Sequence, residues 1–408
     1  MITAMNDHTK MVVLDDDPTG IQTVHGCLLL TDWSEDSLIR AFEHQQPFFY
    51  VLTNTRAMTR DEAAIVTRSA MEAILHVAER YEYRLYFVSR SDSCLRGHFP
   101  LETDVMRQVL VENGIPVWPR MPFVPAFIEA GRITVDGIHY MKTEQGLTPV
   151  SETEFARDNV FGYHTSVLHD YILEKGGIPD EYEIVNAAGY DELEAYCHRL
   201  EEETKGFEGA VVIRSSSSFP KAMSGIPDIP LLDGSILRSN DEVGCFVVGS
   251  HVKKTTRQLS FLLKAPNVKG VEVDVNRVLN DRLKLLEEVV GALKGIHDEG
   301  LTPVVYTSRK EIRLDDAAQR QHLGQAISDF LVDVVCNLPF EPSFLVAKGG
   351  ITSHDILTKG LHVKWAKVEG QIINSVPCVM TEKFPYIIFP GNVGDDKSLA
   401  ALNEKLSQ

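Results

Sequence analysis

The stretch Met11-Val12-Val13-Leu14-Asp15-Asp16-Asp17-Pro18-Thr19-Gly20 decides the fold. Four consecutive apolar residues leave no polar face, so this run reads as a strand buried on both sides. It ends abruptly in three carboxylates, a proline and a glycine. Three adjacent aspartates are poor core material and call for solvent, a metal or a hydroxylated ligand. In open α/β sheets, ligands bind at such carboxyl ends of strands.

The same two-part pattern recurs along the chain. Short apolar runs lie at Phe48–Leu52, Leu85–Val88, Ala210–Ile213, Cys245–Val248, Val304–Tyr306, Phe344–Ala347 and Tyr386–Phe389. After them come TNTR, SRSDSCLRG, RSSSS, GSHVKKT, TSRKE, KGGITS and PGNVGDD. Helical stripes lie between them, such as Met71, Ile74, Leu75, Ala78 and Leu323, Ile327, Phe330, Leu331, Val334. The fold class is therefore α/β: two α/β domains with mainly parallel sheets covered by helices. Small, hydroxylated, acidic and arginine residues recur in the loops, as the floor of a site for a polar, phosphorylated ligand requires.

The middle of the chain departs from this pattern. Four prolines fall between Ile115 and Phe127, and Arg132–Met141 reads as a hairpin about Asp136-Gly137, so residues 115–150 form an irregular arm. Prolines and glycines cluster again at 220–240, which puts the domain boundary between residues 240 and 241.

With 40 basic and 58 acidic residues among 408, the formal net charge is −18, which opposes nucleic acid or an anionic membrane as partner. Residues 1–10 are short and polar, unlike a signal peptide, and no apolar run reaches membrane-spanning length. The six cysteines, Cys27, Cys94, Cys197, Cys245, Cys336 and Cys378, form no C-x-x-C pair and read as reduced core thiols. A cytoplasmic protein acting on small molecules is expected. Assembly into a homo-oligomer is compatible with the sequence.

There is no P-loop and no dinucleotide-binding G-x-G-x-x-G. Three loops of the second half nevertheless suit phosphates. Gly349-Gly350 leaves backbone N–H groups uncovered before a helix starting near Ser353, Gly391 and Gly394 allow close backbone approach, and Ser250 sits between a strand and a helix. In the first half, Asp16 and Asp17 can hold hydroxyls, while Arg90 and Arg96 flank Asp92 in an arrangement suited to binding a carboxylate and deprotonating a hydroxyl. Thr53-Asn54-Thr55-Arg56 adds another guanidinium. The expected substrate-binding set is Asp16, Asp17, Thr19, Asn54, Arg56, Arg90, Ser91, Arg96 and Gly97, with Asp92 the first candidate for the base and Asp16 the second. An internal Asp–Arg ion pair is the plainer alternative for Arg90, Asp92 and Arg96.

DDDPTG, RSDSCLRG, GRITVDGIHYM, VSETEFARD, RSSSSFP, GSHVKKTTRQL, KGGITSHDILTKGL and PGNVGDD, in that order, resemble the four-carbon acid sugar kinases, which phosphorylate threonate, erythronate or 3-oxo-tetronate with ATP. The resemblance spans nearly the whole chain. It implies a sugar-acid-binding domain over 1–240, a nucleotide-binding domain over 241–408 and an active site in the interdomain cleft. It also implies ATP at Ser250, Gly349, Gly350, Ile351, Thr352 and Gly394, beside which Gly391 is placed, with Mg²⁺ carried by the nucleotide phosphates and its protein ligands left open. Arg90 and Cys94 stand where the family commonly has Lys and Thr, and Asn374-Ser375 where it often has Pro-Gly, departures that bear on substrate identity. Two other readings remain. The spacing of Asp15 and Asp17 also resembles haloacid-dehalogenase-type phosphatases, and a non-catalytic sugar-acid sensor would use the same binding loops.

Overall fold

The structure, a computed structural model, describes residues 5, 8–144, 146–309 and 317–407. Lys310 and Glu311 of the TSRKE loop, and most of the polar start of the chain, lie outside the described residues. The chain divides into two compact units, Met1–Asp228 and Ile229–Gln408. This division falls within the proline- and glycine-rich segment rather than after it, because the segment's later part packs onto the second unit. The Leu232 amide bonds to the Gln371 carbonyl at 2.8 Å, and Leu237 joins the second unit's apolar core.

The first unit contains β1 (Thr9–Asp15), β2 (Leu28–Leu30), β3 (Phe48–Leu52), β4 (Arg84–Arg90), β5 (Met121–Val124), β6 (Arg132–Val135), β7 (Ile138–Thr143), β8 (Gly146–Pro149), β9 (Tyr182–Ile184) and β10 (Val211–Ser215). Strands β2-β3-β1-β4-β10-β5-β9 run parallel in that order. Every residue of β1 is buried, as expected of a parallel strand covered on both faces. The covering helix Arg60–Ala78 starts at a capping box between Thr59 and Glu62 and buries Met71, Ile74, Leu75 and Ala78. Register matters for the site: Asp15 pairs with Leu52 on one side and Arg90 on the other, and Arg90 with Ser215. The four strands therefore end in line, and their loops start side by side.

The arm is more ordered than its prolines imply. Met121–Val124 joins the main sheet despite Pro122, since a strand residue can lack its N–H where that position faces away from a ladder acceptor. The hairpin forms as expected, with Asp136 (φ 49°) and Gly137 (φ 73°) both left-handed at the turn, and β8 adds a third antiparallel strand.

The second unit contains β11 (Cys245–Val248), β12 (Val268–Val273), β13 (Thr302–Thr307), β14 (Leu345–Lys348), β15 (Trp365–Ile373), β16 (Val376–Met380) and β17 (Pro385–Phe389). Strands β12, β13, β11, β14 and β17 are parallel, and β16 and β15 continue the sheet antiparallel. Phe246, Val248, Leu259, Leu262, Val346, Ile387, Phe389 and Leu402 are among its core residues. Val248 pairs with Lys348, and Lys348 with Phe389, so three loops again start side by side. Five cysteines are buried free thiols, but Cys336, the last residue of helix Ala317–Cys336, is exposed.

Candidate functional site

In the first unit the three adjacent aspartates meet three different environments. Asp15 is fully buried, and its Oδ1 accepts from Arg90 Nη1 at 3.0 Å and from the Asp17 amide at 3.2 Å. Burial pushes its pKa up although Arg90 opposes this. Gly20 closes over Oδ2 so tightly that a Cβ there would lie 1.8 Å from it. Asp15 Oδ2 accepts no hydrogen bond, but Gly20 packed against it leaves no room for the phosphoryl group that a haloacid-dehalogenase-type nucleophile must reach.

Asp17 is partly exposed. Burial raises its pKa, but Arg56 and the Thr19 hydroxyl and amide outweigh this and hold it down to about 2.

Asp16 differs from both. Its Oδ2 accepts from the Ser91 hydroxyl, while Oδ1 accepts no hydrogen bond and stands 3.7 Å from Arg56 Nη2 and 3.9 Å from Arg90 Nη1. Burial pushes its pKa up, Arg56 pulls it down, Glu102 adds to the rise, and the net direction is up. A carboxylate with a free oxygen and raised proton affinity is equipped to take a proton.

Asp92 is equipped for the opposite. Arg96 grips it at 2.8 Å and 3.2 Å, the Cys94 amide donates at 3.2 Å and Arg56 Nη1 lies 3.5 Å away. Burial raises its pKa, yet these guanidiniums hold it below the usual range. The internal ion pair is therefore what forms at Asp92, and its lone pairs are occupied. Arg90 is likewise occupied: it is 4% exposed and donates to Asp15 and, at 2.7 Å, to Ser217. Arg56 and Arg96 are the guanidiniums of this set that retain solvent access, at 17% and 28% side-chain exposure. Asn54 is half-buried in a left-handed conformation (φ 52°), where the amides of Thr53 and Asn54 both donate to the Asp15 carbonyl.

Gly97 has φ 131°, and a Cβ on it would stand 2.3 Å from Ser91 Oγ and 3.0 Å from both Arg214 Nη2 and Asp16 Oδ2. Only glycine fits there. The arm fixes this loop from behind. Tyr163 and Tyr171 donate to the carbonyls of Cys94 and Leu95 at 2.8 Å and 2.7 Å, and His139 Nε2 donates to that of Ser93 at 2.8 Å. Burial lowers the His139 pKa to about 4, so the ring is neutral, and Nδ1 accepts from Thr134.

Two residues of this set were not singled out in the sequence. Glu102, 4% exposed, accepts from Arg214 at 2.7 Å, from Thr55 and from Ser89. Arg214 also donates to Ser89 at 2.7 Å. Arg214 opens the RSSSS loop, and an arginine directly after an apolar run was the available signal; Glu102 reads as an ordinary first-turn acid of helix Leu101–Glu112.

In the second unit, Ser250, Gly349, Thr352 and Gly391 come together. A Cβ on Gly349 (φ 120°) would lie 3.1 Å from Ser250 Cβ, one on Gly391 3.1 Å from Ser250 Oγ, and one on Gly249 2.1 Å from Thr352 Oγ1. The helix begins at Gly350, earlier than the expected start near Ser353, whose amide already bonds the Gly349 carbonyl at 2.8 Å. The amides of Gly350, Ile351 and Thr352 are thus first-turn donors without intrahelical acceptors. Helix Lys253–Leu262 holds the 390–396 loop: Lys254 donates to Asn392 at 3.0 Å, and Gln258 to Val393 and Asp395 at 3.0 Å and 2.7 Å. Gly394 (φ 81°) packs on Ser398, and Ile351 is 63% exposed. This glycine-lined cradle with free amides fits the phosphates of a nucleotide. Among the described residues, no group of three His, Cys, Asp or Glu is placed to hold a metal ion, and no helix is long and apolar enough to cross a membrane.

A family model for a sugar-binding N-terminal domain matches residues 11–220, and one for a nucleotide-binding C-terminal domain matches 245–399. The chain belongs to the four-carbon acid sugar kinase family. A Haemophilus influenzae protein of the same family is 16% identical over 97% of this chain and 100% of its own, with a TM-score of 0.65. A candidate tRNA synthase from Salmonella typhimurium LT2 is 17% identical over 96% and 98%, with a TM-score of 0.67. At this identity the two share the fold. No curated protein matches the chain closely enough to count as a relative. Sugar-binding and nucleotide-binding domains fit small-molecule partners, and the family membership joins the two sites described above in one chain.

Proposed function

We propose that the chain is an ATP-dependent kinase that transfers the γ-phosphoryl group to a hydroxyl of a four-carbon sugar acid of the threonate, erythronate or 3-oxo-tetronate type. The observation that carries this reading is the free Oδ1 of Asp16, a buried carboxylate of raised proton affinity flanked by Arg56 and Arg90. Phosphoryl transfer needs little covalent help from the protein beyond a base, positioning and positive charge.

In this reading Asp16 accepts the proton of the attacking hydroxyl, with Ser91 fixing its orientation. Asp17, Thr19 and Asn54 bind substrate hydroxyls, and Arg56 and Arg96 bind the carboxylate. Asp92 aligns those two guanidiniums, and Arg90 orders the Asp15 strand end. The amides after Gly349 and the hydroxyls of Ser250 and Thr352 hold the phosphates, with Ile351, Gly391 and Gly394 beside them. Mg²⁺ held by the nucleotide phosphates would offset part of their charge. A cytoplasmic setting agrees with the reduced thiols.

The test is ADP release from ATP with a panel of four-carbon sugar acids, the product mapped by NMR. Release that requires one of these acids supports the proposal. Release of inorganic phosphate from a phosphorylated sugar acid, through phospho-Asp15, would replace it with the phosphatase reading.

A further inference from the structure

Lys348, the last residue of β14, is fully buried. Its Nζ donates to the Pro390 carbonyl at 2.6 Å, lies 3.4 Å from that of Gly391 and stands 3.8 Å from the centre of the Phe389 ring. Among the described residues, no carboxylate is within ion-pairing distance of it. The charged group that acts on it is another cation, Lys254 of helix Lys253–Leu262. The acids of the 390–396 loop are engaged elsewhere, Asp395 with Ser398 and Asp396 with Arg257. A sealed ammonium without a counter-ion is costly unless it loses its proton. Burial, reinforced by Lys254, accordingly lowers its pKa to about 7.

The carbonyls that Lys348 holds belong to the loop facing the phosphate cradle. Thr255 Oγ1 lies 3.3 Å from the same Gly391 carbonyl and donates to Ser250 Oγ at 3.0 Å. Lys348 thus sits one peptide layer behind Ser250 and Gly391. A polyphosphate in front of that layer brings several negative charges near an amine that has no counter-ion among the described residues.

We propose that Lys348 is the electrostatic partner of the bound nucleotide phosphates, neutral when the cradle is empty and charged when they occupy it, so that nucleotide binding draws one proton from solvent onto Nζ. This rests on the nucleotide reading above and adds its charge partner. The chemistry is a proton transfer alone: solvent or buffer loses the proton, and the Lys348 lone pair takes it. His251, whose pKa burial and Arg309 lower, is the other titratable group beside Ser250. It titrates on the acid side of pH 7, so pH 8 isolates Lys348.

The experiment is calorimetry of the full chain with a non-hydrolysable ATP analogue at pH 8, in two buffers of different ionisation enthalpy. The expected uptake is roughly 0.8 proton per nucleotide. In Lys348→Met it should vanish and affinity should fall about tenfold. Lys348→Arg, permanently charged, should keep affinity and lose the uptake. Binding by the natural chain with no uptake at pH 8, or equal uptake in Lys348→Met, would overturn the role of Lys348 and leave the nucleotide reading standing. Absence of any binding would overturn both.

Discussion

Arg90 Nη1 lies 3.0 Å from Asp15 Oδ1, and both side chains are buried. The pair locks β4 to β1 where they end, so the guanidinium expected to meet a substrate serves the scaffold instead. In the proposed function the proton-accepting role goes to Asp16, whose Oδ1 accepts no hydrogen bond, rather than to the ion-paired Asp92.

Asp16→Asn should lower kcat by a factor of roughly 10²–10⁴ with little change in substrate KM. Asp92→Asn should chiefly raise KM, since it loosens Arg56 and Arg96. Steady-state kinetics on both variants decide the matter. The reverse split would return the base to Asp92.

The activity of the natural chain should depend on pH through Asp16. A general base works only when deprotonated, so kcat/KM should fall as pH drops through a pKa raised to about 6. Replacing the base with asparagine removes that limb from whatever activity survives. A limb below pH 4 in the natural chain would point to a carboxylate held like Asp17 or Asp92.

Gly97→Ala should disable the sugar site without unfolding the protein. The new Cβ needs φ 131° and would press on Ser91 Oγ at 2.3 Å, displacing the partner of Asp16 at a backbone cost of about 1–3 kcal/mol. Turnover should drop at least tenfold while nucleotide affinity holds. Normal turnover would mean that the loop has freedom this packing denies it.

Glu102→Gln should be a stability variant. It removes the counter-ion of Arg214, which is 5% exposed, and a buried charge left alone costs about 3–5 kcal/mol. Denaturant unfolding monitored on the first unit reads this directly. A loss below about 1 kcal/mol would show that Arg214 finds another partner.

Gly349→Ala should weaken nucleotide binding at least tenfold, since φ 120° strains any residue with a Cβ and the methyl group would crowd Ser250 at 3.1 Å. Sugar-acid binding measured by calorimetry should persist. Retained nucleotide affinity would move the phosphates away from this loop.

How far the sequence reached can be judged from particular residues. Cys245–Val248 and Phe48–Leu52 were legible as strands because a parallel strand covered on both faces is apolar at every position. Asp136-Gly137 was legible as a turn because few residues accept positive φ. Met121–Val124 was not, because Pro122 with the flanking Pro119 and Pro125 carries the signature of a loop while its partners β10 and β9 lie far along the chain.

The sequence by itself determined that carboxylates, guanidiniums and glycines would gather at strand ends, because the polarity of a loop and the burial of a strand are local properties. The tertiary structure alone decided which of them stay free. Asp15, Asp16 and Asp17 are neighbours with the same side chain, and their fates depend on Arg90 and Ser91, each 75 positions away from its partner, and on Arg56. Glu102 and Arg214 meet across 112 positions in the same way. Proton affinity and ligand access follow from burial and from the charge a few ångströms away, and both are set by how the chain returns to the same strand ends.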